Sequence, residues 1–159
     1  MKVRFREQPR RGAVTAEAAL VLPVVLVLIL GMFDLGVGVL RFNTLSQAAR
    51  QGARQAMVHG ANAPAGWNGG RWRPGVGGTP NAIDEVSTAS VPAVDAIRPF
   101  LVNCPPSQTR VRIEWLNSND DVGSSVRVTV TSQYQPLLTV VFGGSSIPLT
   151  SSSTMPIAH

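Results

Sequence analysis

The sequence predicts an α+β protein with a single N-terminal transmembrane helix that continues into an exported helix packed on a small antiparallel sheet. Three observations predict this class. No charged residue interrupts Ala18 to Phe33, and apart from Asp34 the apolar character continues to Leu40. The segment Phe42–Val58 then continues without proline, as a helix does. The last third of the chain instead alternates apolar and polar residues with the period of two that half-buried strands show.

The apolar segment is long enough to cross a membrane. The 23 residues Ala18–Leu40 span about 34 Å as a helix, against about 30 Å for the hydrocarbon core of a bilayer. Pro23 lies in the first turns, where a proline permits a kink without breaking the helix. Five cations precede the span, so the positive-inside rule keeps the N-terminus in the cytoplasm. We therefore expect a single-pass protein with an exported C-terminal domain.

The pI of about 11.0 reflects the start of the chain. Residues 1–12 hold five cations and one glutamate, so +4 of the net charge of +5 lies there. A protein that binds nucleic acid needs a basic face on its folded part, and the other residues supply almost none. We therefore expect contact with membrane lipid and no nucleic-acid partner.

Composition divides the chain into five predicted segments. They are a basic leader (1–12), a transmembrane helix (13–40), a helical extension (41–58), a loop rich in Gly, Pro and Trp (59–80) and a small α+β exported domain (81–159). At the end of the loop Thr79-Pro80 predicts a helix start, and in the exported domain Ile83 and Val86 begin an apolar stripe at helical spacing. That stripe restarts after Ser90-Val91-Pro92 and continues to Leu101.

Two strands are predicted from strict alternation. Val111, Ile113 and Trp115 alternate with charged residues, and Val126, Val128 and Val130 alternate with Arg and Thr. The polar segment 117–123 between them predicts an antiparallel hairpin. A weaker third strand is predicted at Leu149–Met155, after the short apolar segment Pro136–Phe142.

The helical extension has a stripe of small residues at four-residue spacing, formed by Ala48, Gly52 and Ala56. Small residues on one stripe allow another backbone to approach closely. Two partners fit this stripe equally well: a helix of another protein, or the exported domain of the same chain.

The junction between leader and span has a recognisable spacing. The leader ends at Gly12, and Glu17 follows five residues later, just before the uninterrupted apolar run. This resembles the prepilin-peptidase site of type IV pilin-like proteins, which implies cleavage between Gly12 and Ala13. Three further stretches resemble the TadE family of the tight-adherence (Flp) pilus system: Glu17–Pro23, Gly31–Gly36 with its acidic Asp34, and Gln47–Arg54. The resemblance is specific over about residues 10–58 and does not extend to the loop at 60–80. It is weaker at the C-terminal end, where Val126–Tyr134, Pro136–Leu138 and Ser151–Met155 resemble the closing strands of the family.

The resemblance implies a pilin-like pseudopilin that acts as a minor or priming structural component in Tad/Flp pilus assembly, and so in adhesion and surface attachment. Its implied partners are a prepilin peptidase, other pilins or pseudopilins, and the assembly platform of the bacterial inner membrane. Glu17 is expected to pair with the α-amine of Ala13 on a neighbouring subunit, because a carboxylate in an apolar filament core is costly unless paired. Asp34 is expected either to contact an assembly partner or to reach the outer membrane interface.

Two other interpretations of the N-terminus stay open. A secretory signal peptide has a shorter apolar run of about 7–15 residues, whereas an uncleaved signal anchor has the same charge asymmetry as this chain. The second interpretation gives the alternative function, a membrane-anchored periplasmic module that contacts a partner through Trp67 and Trp72.

The sequence predicts neither a catalytic nor a metal or cofactor site. His59 and His159 are the only histidines, and they stand beside a glycine loop and at the C-terminus. Cys104, the single cysteine, lies in an apolar context typical of a small buried side chain. The alternating polar residues at 117–121 lack the glycine placement and the glutamate of a calcium loop, so a hairpin turn is expected. We therefore expect no enzyme.

Overall fold

A long helix dominates the computed structural model, which describes residues 11–64, 70–72, 82–117 and 119–158. Helix α1 (Arg11–Val58) contains 48 residues and is therefore about 72 Å long. Pro23 lies inside it and does not break it. The predicted transmembrane segment and its helical extension thus form one continuous element.

Among the described residues, four strands form a single antiparallel sheet in sequence order. They are β1 (Ala82–Val86), β2 (Thr109–Trp115), β3 (Ser125–Tyr134) and β4 (Ile147–Pro156). Each strand pairs with the next, and Trp115 opposite Val126 closes the hairpin that was predicted between β2 and β3. The predicted α+β class, with an apolar N-terminal helix and a small antiparallel sheet, is confirmed.

Two short helices connect the strands. Helix α2 (Pro92–Ile97) lies between β1 and β2 and is followed by the 3-10 turns Arg98–Phe100 and Pro106–Gln108. Its start agrees with the helical restart predicted after Ser90-Val91-Pro92. Helix α3 (Leu137–Phe142) lies between β3 and β4.

The core lies between the C-terminal half of α1 and one face of the sheet. The alternating residues of β2 and β3 supply that face and are almost fully buried: Val111, Ile113, Trp115, Val126, Val128 and Val130. The opposite face is exposed and carries ion pairs, such as Arg110 with Asp84 at 3.1 Å and Arg112 with Glu114 at 2.6 Å. The predicted alternation of buried and exposed positions is confirmed.

The helix predicted to begin at Thr79-Pro80 is wrong where the structure describes the chain, because Ile83 and Val86 belong to strand β1. Thr79 and Pro80 themselves lie outside the described residues. Ile83 is 2% exposed and pairs with Ile113 of β2. Two apolar residues three apart are too few to establish a helical period, and pairing with a distant strand decides the structure of this segment.

Candidate functional site

The predicted processing junction lies at the exposed start of α1. Gly12, Ala13 and Glu17 are all exposed, and a Cβ atom added to Gly12 would meet nothing within 4 Å. Ala13 and Glu17 are one helical turn apart, about 6 Å along the axis. Residues 1–10 of the predicted leader lie outside the described residues. The junction is therefore not covered by the described part of the exported domain.

The N-terminal half of α1 has no covering layer of its own. Every side chain from residue 12 to residue 29 is exposed, including large apolar ones such as Leu20 at 74% and Leu28 at 63%. The helix is long and apolar enough to cross a membrane, and only 6% of its most apolar window is buried. Exposed apolar area on this scale requires lipid or other subunits around it.

Asp34, the predicted assembly residue inside the span, is 7% exposed and bound to its own chain. Its Oδ1 accepts a hydrogen bond of 2.8 Å from the backbone N–H of Leu137, and its Oδ2 accepts one of 2.9 Å from that of Leu138. These two N–H groups are the first of helix α3, which has no cap from its own neighbouring side chains. Asp34 therefore caps α3 and joins it to α1; we call this contact the Asp34 clamp.

Tyr134, the last residue of β3, completes the clamp. Its hydroxyl donates to the backbone carbonyl of Asp34 at 3.0 Å and lies 3.3 Å from the carboxylate. The guanidinium of Arg41 lies over the tyrosine ring, 5.0 Å from its centre, at cation–π distance. The clamp thus holds the end of β3 and the start of α3 against the predicted span.

The clamp is a contact that the sequence did not indicate. The sequence predicts that Asp34 contacts another subunit or reaches the outer interface, whereas in the structure both of its carboxylate oxygens accept hydrogen bonds within the chain. The only local signal is the uncapped start of α3 after Pro136, which requires an acceptor from elsewhere. The role of Asp34 in assembly stays a prediction.

The predicted small-residue stripe of α1 packs on the exported domain of the same chain, which is one of the two partners predicted for it. Ala48 and Ala56 are at most 1% exposed. A Cβ atom added to Gly52 would lie 2.8 Å from the Ile97 side chain and 3.0 Å from the Val128 side chain. Both distances are shorter than a normal contact between carbon atoms, so these side chains would have to move. The stripe is therefore used to bring α1 against α2 and β3.

Trp72, one of two tryptophans assigned to partner contact in the alternative function, is 3% exposed. Its ring stacks on that of His59, with ring centres 4.4 Å apart, and its backbone N–H donates to the His59 carbonyl at 2.9 Å. Trp67 lies outside the described residues. Trp72 thus lies against the end of α1 and belongs to the core rather than to an exposed contact surface.

Cys104 is also part of the core and is 5% exposed. Burial raises the pKa of its thiol, with a smaller opposing effect of the Arg41 charge. A protonated buried thiol is a poor nucleophile.

In the hairpin turn between β2 and β3, the side-chain amide of Asn119 donates a hydrogen bond to the Asp121 carboxylate at 3.0 Å. Across the described residues, no group of three or more His, Cys, Asp or Glu side chains is placed to hold a metal ion.

Comparison with known proteins matches one part of α1. The family model described as TadE-like protein matches residues 12–54, the part of α1 that holds the junction, Asp34 and Gly52. No curated protein and no solved structure matches the chain significantly. The matched segment includes the part of α1 that is long and apolar enough to cross a membrane. The predicted resemblance to the TadE family is confirmed over residues 12–54.

Proposed function

We propose that this chain is a pseudopilin: a prepilin peptidase removes its leader between Gly12 and Ala13, and the mature protein acts as a minor or priming subunit in Tad pilus assembly. The observation that carries the proposal is the TadE-like match beginning at Gly12, on a helix whose first 18 described positions after Arg11 are all exposed. Such a helix suits transfer from lipid to a bundle of similar helices, since both surroundings cover apolar area.

Removal of the leader supports that transfer energetically. The leader holds five cations, each worth about 1 kcal/mol near an anionic membrane surface. Their loss weakens the hold of the bilayer on the N-terminus. Cleavage also creates an α-amine on Ala13, one turn from Glu17. Among the described residues Glu17 forms no ion pair, so the amine of a neighbouring subunit is its proposed partner in the filament.

The processing step is tested by the mass of the protein purified from its own membrane. We expect a chain that begins at Ala13, and a full-length chain when Gly12→Val blocks the peptidase. Gly36→Val is the matched control, because Gly36 also meets nothing within 4 Å of an added Cβ and lies outside the junction. An intact N-terminus in cells with active peptidase would contradict the proposal and favour the uncleaved anchor.

The proposed pairing of Glu17 is tested separately from cleavage. Glu17→Gln should insert and be cut at the wild-type rate but should fail to support piliation, because an amide does not neutralise the amine. Glu17→Asp, which keeps the charge on a shorter side chain, should restore piliation in part. Normal piliation by the Gln variant at normal protein level would remove the pairing from the proposal.

We propose that the chain crosses the inner membrane once, with the N-terminus in the cytoplasm and the domain on the far side. A reporter fused after His159 should therefore be active only on the periplasmic or extracellular side. Activity in the cytoplasm would contradict this orientation. The alternative function, an anchored binding module, receives no support from Trp72, whose ring is buried.

A further inference from the structure

The exported domain overlaps the predicted span instead of beginning after it. The uncharged run of α1 ends at Phe33 and the apolar segment ends at Leu40, yet the Asp34 clamp fixes α3 to this same stretch. A Cβ atom added to Gly31 would lie 3.6 Å from Leu138, so α3 touches the helix inside the uncharged run. Residues 134–149, which include α3 and its flanking turns, form the end of the domain nearest the span; we call them the tip.

The depth of the tip follows from helix geometry. If the hydrocarbon core ends at Phe33, Gly31 lies about 3 Å below its boundary, and if the core ends at Leu40, Gly31 lies about 13 Å below it. The uncharged run 18–33 contains only 16 residues, about 24 Å, which is shorter than the roughly 30 Å core. The whole run is therefore needed to fill the core, and Leu138 lies at membrane depth in either case.

The composition of the tip suits lipid. No Asp, Glu, Lys or Arg occurs between Val128 and Ala158, a stretch that includes most of β3 and all of α3 and β4. Leu137 is 52% exposed and Ile147 is 48% exposed. Between α1 and the tip runs an apolar groove of about 770 Å³, lined by residues such as Leu28, Met32, Leu35, Val39, Leu138 and Ile147.

The backbone of the tip sets an upper limit on this depth. The turn Gly143–Ser146 is exposed, and unpaired backbone groups are not tolerated in hydrocarbon. They are satisfied at the headgroup level, where interfacial helices lie with their apolar side about 5–10 Å into the acyl boundary. Tyr134 of the tip and Arg41 of α1, whose guanidinium lies over the tyrosine ring, are residue types typical of the same interface.

We propose that the tip is a second membrane-binding element, which inserts Leu137, Leu138 and Ile147 among the phospholipid acyl chains of the leaflet on the exported side. The Asp34 carboxylate is then satisfied inside the protein at a depth where an unpaired charge is costly. The domain is thereby held at a fixed height against the membrane while α1 remains in it. This inference rests on α1 crossing a membrane and not on processing or pilus assembly.

The test uses the full chain in phosphatidylcholine nanodiscs, with Cys104→Ala as background so that a single introduced cysteine carries a spin label. Leu137→Cys and Ile147→Cys report on the tip. Val122→Cys is the matched control, since Val122 is 56% exposed and precedes β3 at the opposite end of the sheet. Strand β3, which has ten residues, separates Val122 from the tip by about 33 Å. The measurement is collision of each label with oxygen, which partitions into lipid, and with a water-soluble nickel chelate.

We expect the oxygen-to-nickel ratio to be severalfold higher at both tip positions than at Val122, in discs that hold one copy each. An equal ratio at all three positions would place the tip in water and overturn the proposal. Protection from nickel that appears only in discs with several copies would assign the groove to another copy of the chain and would overturn it as well. None of these outcomes depends on cleavage at Gly12, so the experiment can refute the membrane contact of the tip without testing the proposed function.

Discussion

The Asp34 clamp makes a quantitative prediction for Asp34→Asn. The carboxylate accepts one backbone N–H on each oxygen, at 2.8 Å from Leu137 and 2.9 Å from Leu138. An amide has a single acceptor oxygen, so one N–H keeps its partner and the other faces the donor NH2 group. The loss is one hydrogen bond to a charged group, about 1.5–3 kcal/mol. That corresponds to local opening of α3 that is about 10- to 150-fold more frequent.

The assay is amide hydrogen exchange of Leu137 and Leu138, followed by NMR on the full chain in nanodiscs. In Asp34→Asn both amides should exchange faster by the stated factor, while the sheet amide of Ile113, in the fully buried core, should keep its wild-type rate. Glu17→Gln is the matched control, because it makes the same chemical change on an exposed position of the same helix. Wild-type exchange of the two α3 amides in Asp34→Asn would refute the clamp.

Three further changes test the packing of the domain. Gly52→Val should lower the free energy of unfolding in micelles by about 1–3 kcal/mol through overpacking, whereas Gly36→Val, with open space around it, should not. Tyr134→Phe removes the 3.0 Å bond to the Asp34 carbonyl and should cost about 0.5–1.5 kcal/mol in the same denaturation assay. Because burial raises the pKa of the Cys104 thiol, the folded chain keeps that proton after the unfolded chain has lost it. Unfolding free energy should therefore fall as pH rises above about 8.5, and less so in Cys104→Ala.

The parts of the fold that the sequence predicts are those encoded by local patterns. The uncharged run from Ala18 to Phe33 predicts one continuous helix, since length and apolarity alone decide it. The alternation around Ile113 and Val128 predicts β2 and β3, because each buried position is followed by a polar one. The hairpin between them follows from a polar segment too short for anything but a turn.

The features that escaped prediction depend on contacts between distant segments. Ile83 and Val86 have a helical spacing in the sequence, but Ile83 pairs with Ile113, a strand residue thirty positions away. Trp72 follows a segment of loop composition, and only its stacking on His59 shows that it belongs to the core. The clamp joins Asp34 to residues more than one hundred positions later, and no local pattern signals a pairing of that kind.

The two carboxylates of the apolar half of α1 differ in what they still require. Each carboxylate oxygen of Asp34 already accepts a backbone N–H of its own chain, so a donor from a neighbouring subunit adds little stabilisation. Glu17 is exposed and forms no ion pair among the described residues, so transfer into an apolar bundle leaves it with an unmet charge. We therefore expect the defects to separate: Asp34→Asn should loosen the tip, and Glu17→Gln should leave the domain intact and impair assembly.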